Sequence, residues 1–196
     1  MLGSIKHALA NLANFNGRDS RQTFWFWVLA VVIVRFLSGM LVSAPLTMKM
    51  MSATMSAVEG GSVEDPAAMQ KLVMDIVINE LPRMIWIGVA VGVVTMLLLV
   101  ASLVRRLHDS DLPGWLVLIP GGIYAAVLAR MPAQIDVAVE MLRSMKPGTP
   151  PDMATMMQGQ GAMALLSWVP VVLVIVIGLR KSSEGPNRYG DAPVTF

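Results

Sequence analysis

The sequence predicts an all-α fold: an integral membrane four-helix bundle with short interfacial amphipathic helices, built as a single membrane domain over residues 1–196. Hydrophobic residues make up 55% of the chain and charged residues only 14%, whereas soluble domains carry roughly 25% charged residues. Four apolar segments approach the roughly 20 residues that cross a bilayer as a helix. Much of the remaining charge is gathered into short motifs beside these segments, which indicates that polar chemistry is confined to the membrane surface.

The N-terminal element is predicted to be an amphipathic helix that lies on the membrane surface, because Leu2, Ile5, Leu9 and Leu12 recur at helical spacing. The four membrane spans are expected at about residues 24–46, 84–104, 115–129 and 163–179. The third span is short and contains Pro120-Gly121-Gly122, so a kinked or re-entrant segment is the alternative there.

The two long loops between spans carry further apolar stripes. The first contains Leu72, Val73, Ile76, Val77 and Leu81, and Pro82 is expected to end it. The second contains Ile135, Val139, Leu142 and Met145, and Pro147-Gly148 is expected to end it. Twelve of the 17 methionines lie in these loops. They favour a flexible apolar cap or a protein-binding surface over a Cu(I) site, because no histidine or cysteine accompanies them; we therefore expect no metal and no cofactor.

The distribution of Lys and Arg predicts the orientation of the chain. The N-terminal segment, the 105–114 loop and the tail after residue 179 hold 3, 2 and 3 cations, and the two long loops hold 3 each. With 5 and 8 acidic residues respectively, the first set carries a net charge of +3 and the second −2. We therefore expect a bacterial inner (plasma) membrane protein with both termini in the cytoplasm. The overall charge of +2 and the lack of a basic face argue against a nucleic-acid partner.

Three polar motifs should meet at the cytoplasmic ends of the spans: FNGRDSR at 15–21, RRLHDSDLPGW at 105–115 and EGPNRYGDAP at 184–193. Guanidinium groups clustered at an anionic leaflet are suited to binding phosphate. The same groups are equally suited to bracing the helix ends against one another. The candidate ligand- or partner-binding residues are Arg18, Arg21, Arg105, Arg106, His108, Asp109, Asn187, Arg188 and Tyr189.

These motifs carry a family resemblance. GRDSRQTFW, RRLHDSDLPGW and GPNRYGDAP occur in that order with spans between them, and in this the chain resembles the bacterial "domain of unknown function 805" family of small inner-membrane proteins. The resemblance covers most of the chain and implies a membrane protein with cytoplasmic polar motifs. It implies no established activity. The long, methionine-rich outer loops and Asp111-Leu112-Pro113 depart from the family pattern.

Our leading hypothesis is a non-enzymatic protein whose cytoplasmic rim binds a partner protein, an anionic lipid or a small anion; homo-oligomers are an option. The alternative is a small oligomeric transporter or channel that uses Arg35, which lies near the middle of the first span, where arginine costs at least about 2.5 kcal/mol. Snorkelling explains Arg35 equally well. A membrane enzyme that acts on lipid head groups, with His108 as acid–base, is a third hypothesis. We assign no catalytic residue, because neither a nucleophile nor a full metal-ligand set is recognisable.

Overall fold

The computed structural model describes residues 1–60, 65–145 and 161–193. Their regular structure is helical, apart from one isolated bridge between Asn187 and Gly190. The helices are α1 (Leu2–Ala10), α2 (Arg21–Glu59), α3 (Pro66–Asp109), a 3-10 turn (Gly114–Val117), α4 (Leu118–Arg130), α5 (Gln134–Ser144) and α6 (Gly161–Leu179). The all-α prediction is therefore confirmed.

The predicted first and second spans lie within two much longer helices. Helices α2 and α3 contain 39 and 44 residues, so at about 1.5 Å per residue each exceeds the roughly 30 Å hydrocarbon core of a bilayer. The prediction that Pro82 ends a helix is wrong, because Pro82 lies inside α3 just as Pro45 lies inside α2. A proline removes one backbone donor but does not end a helix whose neighbouring turns remain intact.

The predicted third span is bent. The helices from Gly114 to Arg130 and from Gln134 to Ser144 meet at 45° and together are apolar enough to count as one broken span or a re-entrant loop. Helices α2 and α3 each meet the length and hydropathy of a membrane span, and the apolar part of α6, Ala164–Leu179, is shorter. The chain is thus an all-α membrane protein with two or three such helices among the described residues. The four-span count stays a prediction.

Helix α5 contains the apolar stripe predicted in the second long loop, and its N-terminal end follows closely on α4. Its C-terminal end at Ser144 agrees with the predicted stripe, whereas the expected stop at Pro147-Gly148 lies outside the described residues. The methionines at 153, 156 and 157 also lie outside them.

Two compact units are formed by the chain. The first comprises Met1–Phe36, Val91–Val127 and Ala162–Phe196, and the second comprises Leu37–Ala90 and Leu128–Gly161. In the first unit, one apolar core joins α2, α3, the 3-10 turn and α6 through Phe24, Leu103, Leu107, Val117 and Ile177. This core directly adjoins the residues of the three polar motifs and fixes the ends of those elements.

Helix α1 forms where the sequence predicts an amphipathic helix, and it packs on the first unit, a contact that the sequence did not predict. Ser4 and Ala8 are buried, and Ala8 contacts Trp27 and Val31 of α2. Leu2 and Leu9, which belong to the predicted apolar stripe, remain exposed. Small side chains allow α1 to approach α2 closely, so the leucines are left on the outer side, where an amphipathic helix meets lipid.

Candidate functional site

Two adjacent residues before α2 pair with two residues one helical turn apart at the end of α3. Arg18 Nη2 lies 3.0 Å from Asp109 Oδ1, and Arg105 Nε lies 3.0 Å from Asp19 Oδ1. Arg106 also pairs with Asp109, through its second carboxylate oxygen. We call Arg18, Asp19, Arg105, Arg106 and Asp109 the arginine–aspartate cluster. All five side chains are at most 3% exposed, so the cluster is a buried ionic network.

The cluster also binds the end of α6 and the tail that follows it. Arg106 donates through Nε to the carbonyl of Gly178, at 3.3 Å, and through Nη2 to the carbonyl of Arg180. Arg18 donates to the carbonyl of Gly185, at 2.7 Å, and to that of Ser183, at 3.1 Å. Carbonyls at a helix C-terminus lack intrahelical donors, so Arg106 caps α6 while Arg18 holds the tail.

On its other side, the cluster binds the N-terminal segment. Asp19 accepts hydrogen bonds from Ser102 Oγ, at 2.8 Å, and lies 3.3 Å from the His7 ring nitrogen Nε2. Arg105 donates to the carbonyls of Asn11, at 2.8 Å, and Asn14. The two carboxylates therefore join α1, α3 and α6, which makes the cluster a connection between helix ends.

The cluster contains three guanidinium groups and two carboxylates, a net charge of +1. Burial lowers the pKa of Arg106, Asp109 opposes this effect, and nearby Arg21 adds to it. The guanidinium group nevertheless stays charged, because arginine is not deprotonated in proteins. Carbonyl acceptors disperse the excess positive charge. Losing one carboxylate would leave buried guanidinium groups without their counter-ion, which typically costs about 3–5 kcal/mol.

His108 is enclosed by the third motif. The His108 ring stacks on the Tyr189 ring, with centroids 3.8 Å apart and an interplanar angle of 5°. Arg188 lies over the Tyr189 ring, with its Cζ 4.8 Å from the ring centroid. Nδ1 of His108 lies 3.2 Å from the Gly17 carbonyl. His108 follows the apolar segment, which ends at Val104. Burial lowers the pKa of His108, although the Gly17 carbonyl partly opposes this.

Gly114 permits this packing around His108. A Cβ at position 114 would lie 2.9 Å from His108 Nε2 and 2.8 Å from Val104 Cγ1, closer than side-chain atoms normally approach. The backbone of Gly114 therefore lies against Nε2 of His108, where a side chain on residue 114 would not fit.

Asn187 organises the tail into a tight turn. Its Nδ2 donates to the His108 carbonyl and to Ser183 Oγ, both at 2.9 Å, while its Oδ1 accepts from the Tyr189 N–H at 2.9 Å. Asn187 and Gly190 exchange two backbone hydrogen bonds of 3.0 Å. Gly190 has a φ of 127°, which side-chain-bearing residues rarely adopt.

Of the nine candidate binding residues predicted from the sequence, all except Arg21 contact one another or share a contact with a common neighbour. Arg188 is on the outside, paired with Asp111 through Nε at 3.1 Å. Arg21 is exposed, and within the described residues no hydrogen bond or ion pair ties it to the cluster. Arg35 is exposed on α2, fourteen residues farther along the helix than Arg21.

Sequence reasoning missed several partners of the cluster. Ser102 and Ser183 supply hydroxyl groups, and the backbone of Gly178 supplies an acceptor. Ser102 was recognisable, because it lies three residues before Arg105 and so shares its helix face. Backbone carbonyl acceptors cannot be recognised from the sequence, because every residue has one.

The second unit contains a simpler ionic group. Glu80 pairs through Oε1 with Lys49 and through Oε2 with Arg83 Nε, at 2.8 Å. Lys49 and Arg83 are 60% and 45% exposed. Lys49 and Arg83 lower the pKa of the Glu80 carboxyl, against the effect of burial. Across residues 1–60, 65–145 and 161–193, no group of three or more His, Asp or Glu side chains could hold a metal ion.

Together these features define an all-α membrane protein whose helix ends are joined by a buried arginine–aspartate cluster. The chain belongs to the family described as "Protein of unknown function (DUF805)", whose model matches residues 12–191. The family resemblance seen in the three motifs is therefore confirmed. No curated protein and no solved structure matches the chain. Neither the family nor the described residues give positive support for catalysis.

Proposed function

We propose that this chain is a non-enzymatic, multi-pass protein of the bacterial inner membrane whose cytoplasmic rim binds a phosphate-bearing anion, either an anionic lipid head group or a small free anion. The observation that carries the proposal is the pair of exposed cations beside Arg106. Arg21 acts on the Arg106 charge, and the backbone of Arg180 accepts a hydrogen bond from Arg106. Both Arg21 and Arg180 are exposed.

The buried residues themselves are poorly suited to binding a ligand. Arg18 and Arg106 already donate to carboxylates and carbonyls, so a phosphate would have to replace internal partners. Arg188 and Lys181 are paired with Asp111 and Glu184. Arg21 and Arg180 are the exposed cations that adjoin the cluster at Arg106, and the net charge of +1 behind them favours an incoming anion.

Four spans with both termini in the cytoplasm would place this rim at the anionic cytoplasmic leaflet. The charge bias of the loops supports this orientation. Trp86 and Trp115 support the boundaries of the second span: both are exposed, and tryptophan favours membrane interfaces.

Native mass spectrometry of the protein released from membranes with its lipids tests the proposal. We expect adducts with the mass of a phospholipid or of orthophosphate, and we expect Arg21→Gln/Arg180→Gln to carry one such adduct fewer than the wild type. The control, Lys71→Gln/Arg130→Gln, removes two exposed cations from the outer loops and should retain the adduct. Identical spectra for the wild type and both variants would refute the proposal, as would an adduct with the mass of a protein alone.

The transporter or channel based on Arg35 stays an alternative prediction. Arg35 lies on an exposed stretch of α2 between Val34 and Phe36, both of which are also exposed. The exposed cations Arg21 and Arg180, with the net positive charge of the arginine–aspartate cluster behind them, favour the anion-binding proposal.

A further inference from the structure

An apolar groove lies in the first unit, between the α1–α2 connection and α3. Its volume is about 470 Å³, within the range of ligand pockets. Leu12 and Phe15 line one side, and Val94, Leu97 and Val100 line the other. None of these residues belongs to the arginine–aspartate cluster, so the groove is separate from the proposed anion site.

The walls of the groove are held in place by hydrogen bonds behind them. Arg105 donates to the carbonyls of Asn11 and Asn14, which flank Leu12 in the chain. On the α3 side, Trp27 Nε1 donates to the Leu98 carbonyl at 2.9 Å. The groove therefore exists before any ligand enters, which reduces the ordering cost of binding.

The groove lies within the depth of one leaflet of a bilayer. Val94 precedes Arg105 by eleven residues of continuous helix, or about 16 Å at 1.5 Å per residue. Half of a bilayer's hydrocarbon core is roughly 15 Å. Val94 and Leu97 are 54% and 57% exposed within the apolar part of α3, so the open side of the groove faces hydrocarbon.

The polar end of the groove suits a negatively charged head group. Asn14 and Asn16 are exposed beside Phe15, and the net positive cluster lies behind Asn14 through its bond to Arg105. We propose that the groove binds one acyl chain of an anionic phospholipid, with its phosphate at the Asn14–Asn16 end. The chain would lie against α3, along the leaflet that contains the rim.

Filling the groove provides the first test. Leu97→Trp places a large side chain in the groove, whereas Val93→Trp places the same side chain at an exposed position of α3 outside it. After reconstitution in phosphatidylglycerol–phosphatidylcholine vesicles and gentle release in detergent, native mass spectrometry should show one retained phosphatidylglycerol on the wild type and on Val93→Trp. The lipid-bound fraction of Leu97→Trp should fall by about tenfold. Equal retention by the two variants would overturn the proposal.

A second measurement uses the unmodified groove and so does not depend on the folding of Leu97→Trp. Trp27 is bonded to Leu98 behind the groove, so phosphatidylglycerol with brominated acyl chains should quench Trp27 fluorescence more than brominated phosphatidylcholine does. The Trp27→Phe protein gives the background of the other four tryptophans. Equal quenching by both lipids would contradict the proposal.

The rim variant separates this inference from the proposed function. Arg21→Gln/Arg180→Gln should retain the lipid in the groove even when it loses the anion at the rim. If that variant loses all phospholipid while Leu97→Trp loses none, the rim binds lipid and the groove does not.

Discussion

The two units of this protein use ionic groups in opposite ways. In the first unit, five charged side chains are at most 3% exposed and bind carboxylates, hydroxyls and backbone carbonyls. In the second, Glu80 lies between two cations that are about half exposed. Loss of Glu80 would leave two cations that water can reach, whereas loss of a carboxylate in the first unit would leave buried guanidinium groups. The number of ion pairs therefore says little about stability, whereas their burial and the completeness of their hydrogen bonding say much.

Removing one carboxylate from each unit should give the largest contrast. Asp109→Asn leaves Arg18 and Arg106 buried without their shared counter-ion, so we expect a loss of about 3–5 kcal/mol of stability. Glu80→Gln should change stability little, because solvent screens Lys49 and Arg83. Thermal unfolding in detergent, followed by circular dichroism, measures both variants. If Asp109→Asn unfolds at the wild-type temperature, the cluster is not a structural connection.

Two helical glycines provide the next largest contrast. A Cβ at Gly178 would lie 2.6 Å from Trp25 Cζ2 and 2.7 Å from Phe24 Cε1, whereas nothing lies within 4 Å of one at Gly88. Gly178→Ala should therefore cost about 1–3 kcal/mol through overpacking. Gly88→Ala, in the second unit, should be neutral or slightly stabilising. The unfolding temperatures of the two variants test this contrast. Equal unfolding temperatures would show that Phe24 and Trp25 move aside freely.

The smallest expected effect is on the pH dependence of stability, and the two units should lose stability in different pH ranges. Burial lowers the pKa of His108, so the unfolded chain binds a proton first and stability falls as the pH drops through the ordinary histidine value of 6.5. Glu80 has a lowered carboxyl pKa. Its contribution is therefore full above its ordinary value of 4.5 and is lost as the pH falls through the lower, folded value.

Two variants assign these effects. His108→Gln should flatten the dependence of the unfolding temperature near pH 6.5, and Glu80→Gln should flatten only its more acidic part. A His108→Gln protein with the wild-type pH profile would show that other groups control the response near neutrality.

Much of the fold follows from sequence periodicity, because membrane helices must satisfy their own backbone hydrogen bonds. Apolar stretches therefore predict helices at α2, α3 and α6, and the stripe at 135–145 predicts α5. The lengths of α2 and α3 did not follow: Pro82 is predicted to end a helix, yet it is tolerated inside α3, as Pro45 is inside α2. Local residue preference cannot decide between these outcomes without the packing around each proline.

The cluster was only partly predictable. Charged motifs flanking apolar spans indicated that Arg18, Arg105, Arg106 and Asp109 would meet, but not which atoms would pair. Arg18 and Asp19 bind across to Asp109 and Arg105, a pairing that depends on where the chain enters α2. The carbonyls of Gly178 and Arg180 become acceptors only because α6 ends beside α3, which is a property of tertiary structure.

The contacts of Arg106 and Arg18 with residues 178–185 also set an order of assembly during synthesis. When α3 has just been made, the carbonyls of Gly178 and Gly185, which these arginines will bind, have yet to be polymerised by the ribosome. At that stage the end of α3 has no α6 to bind, so water must solvate both guanidinium groups. Only translation of the last segment closes the network. An unfinished chain therefore differs chemically from a finished one, because only the finished chain can bury both guanidinium groups against carbonyl acceptors.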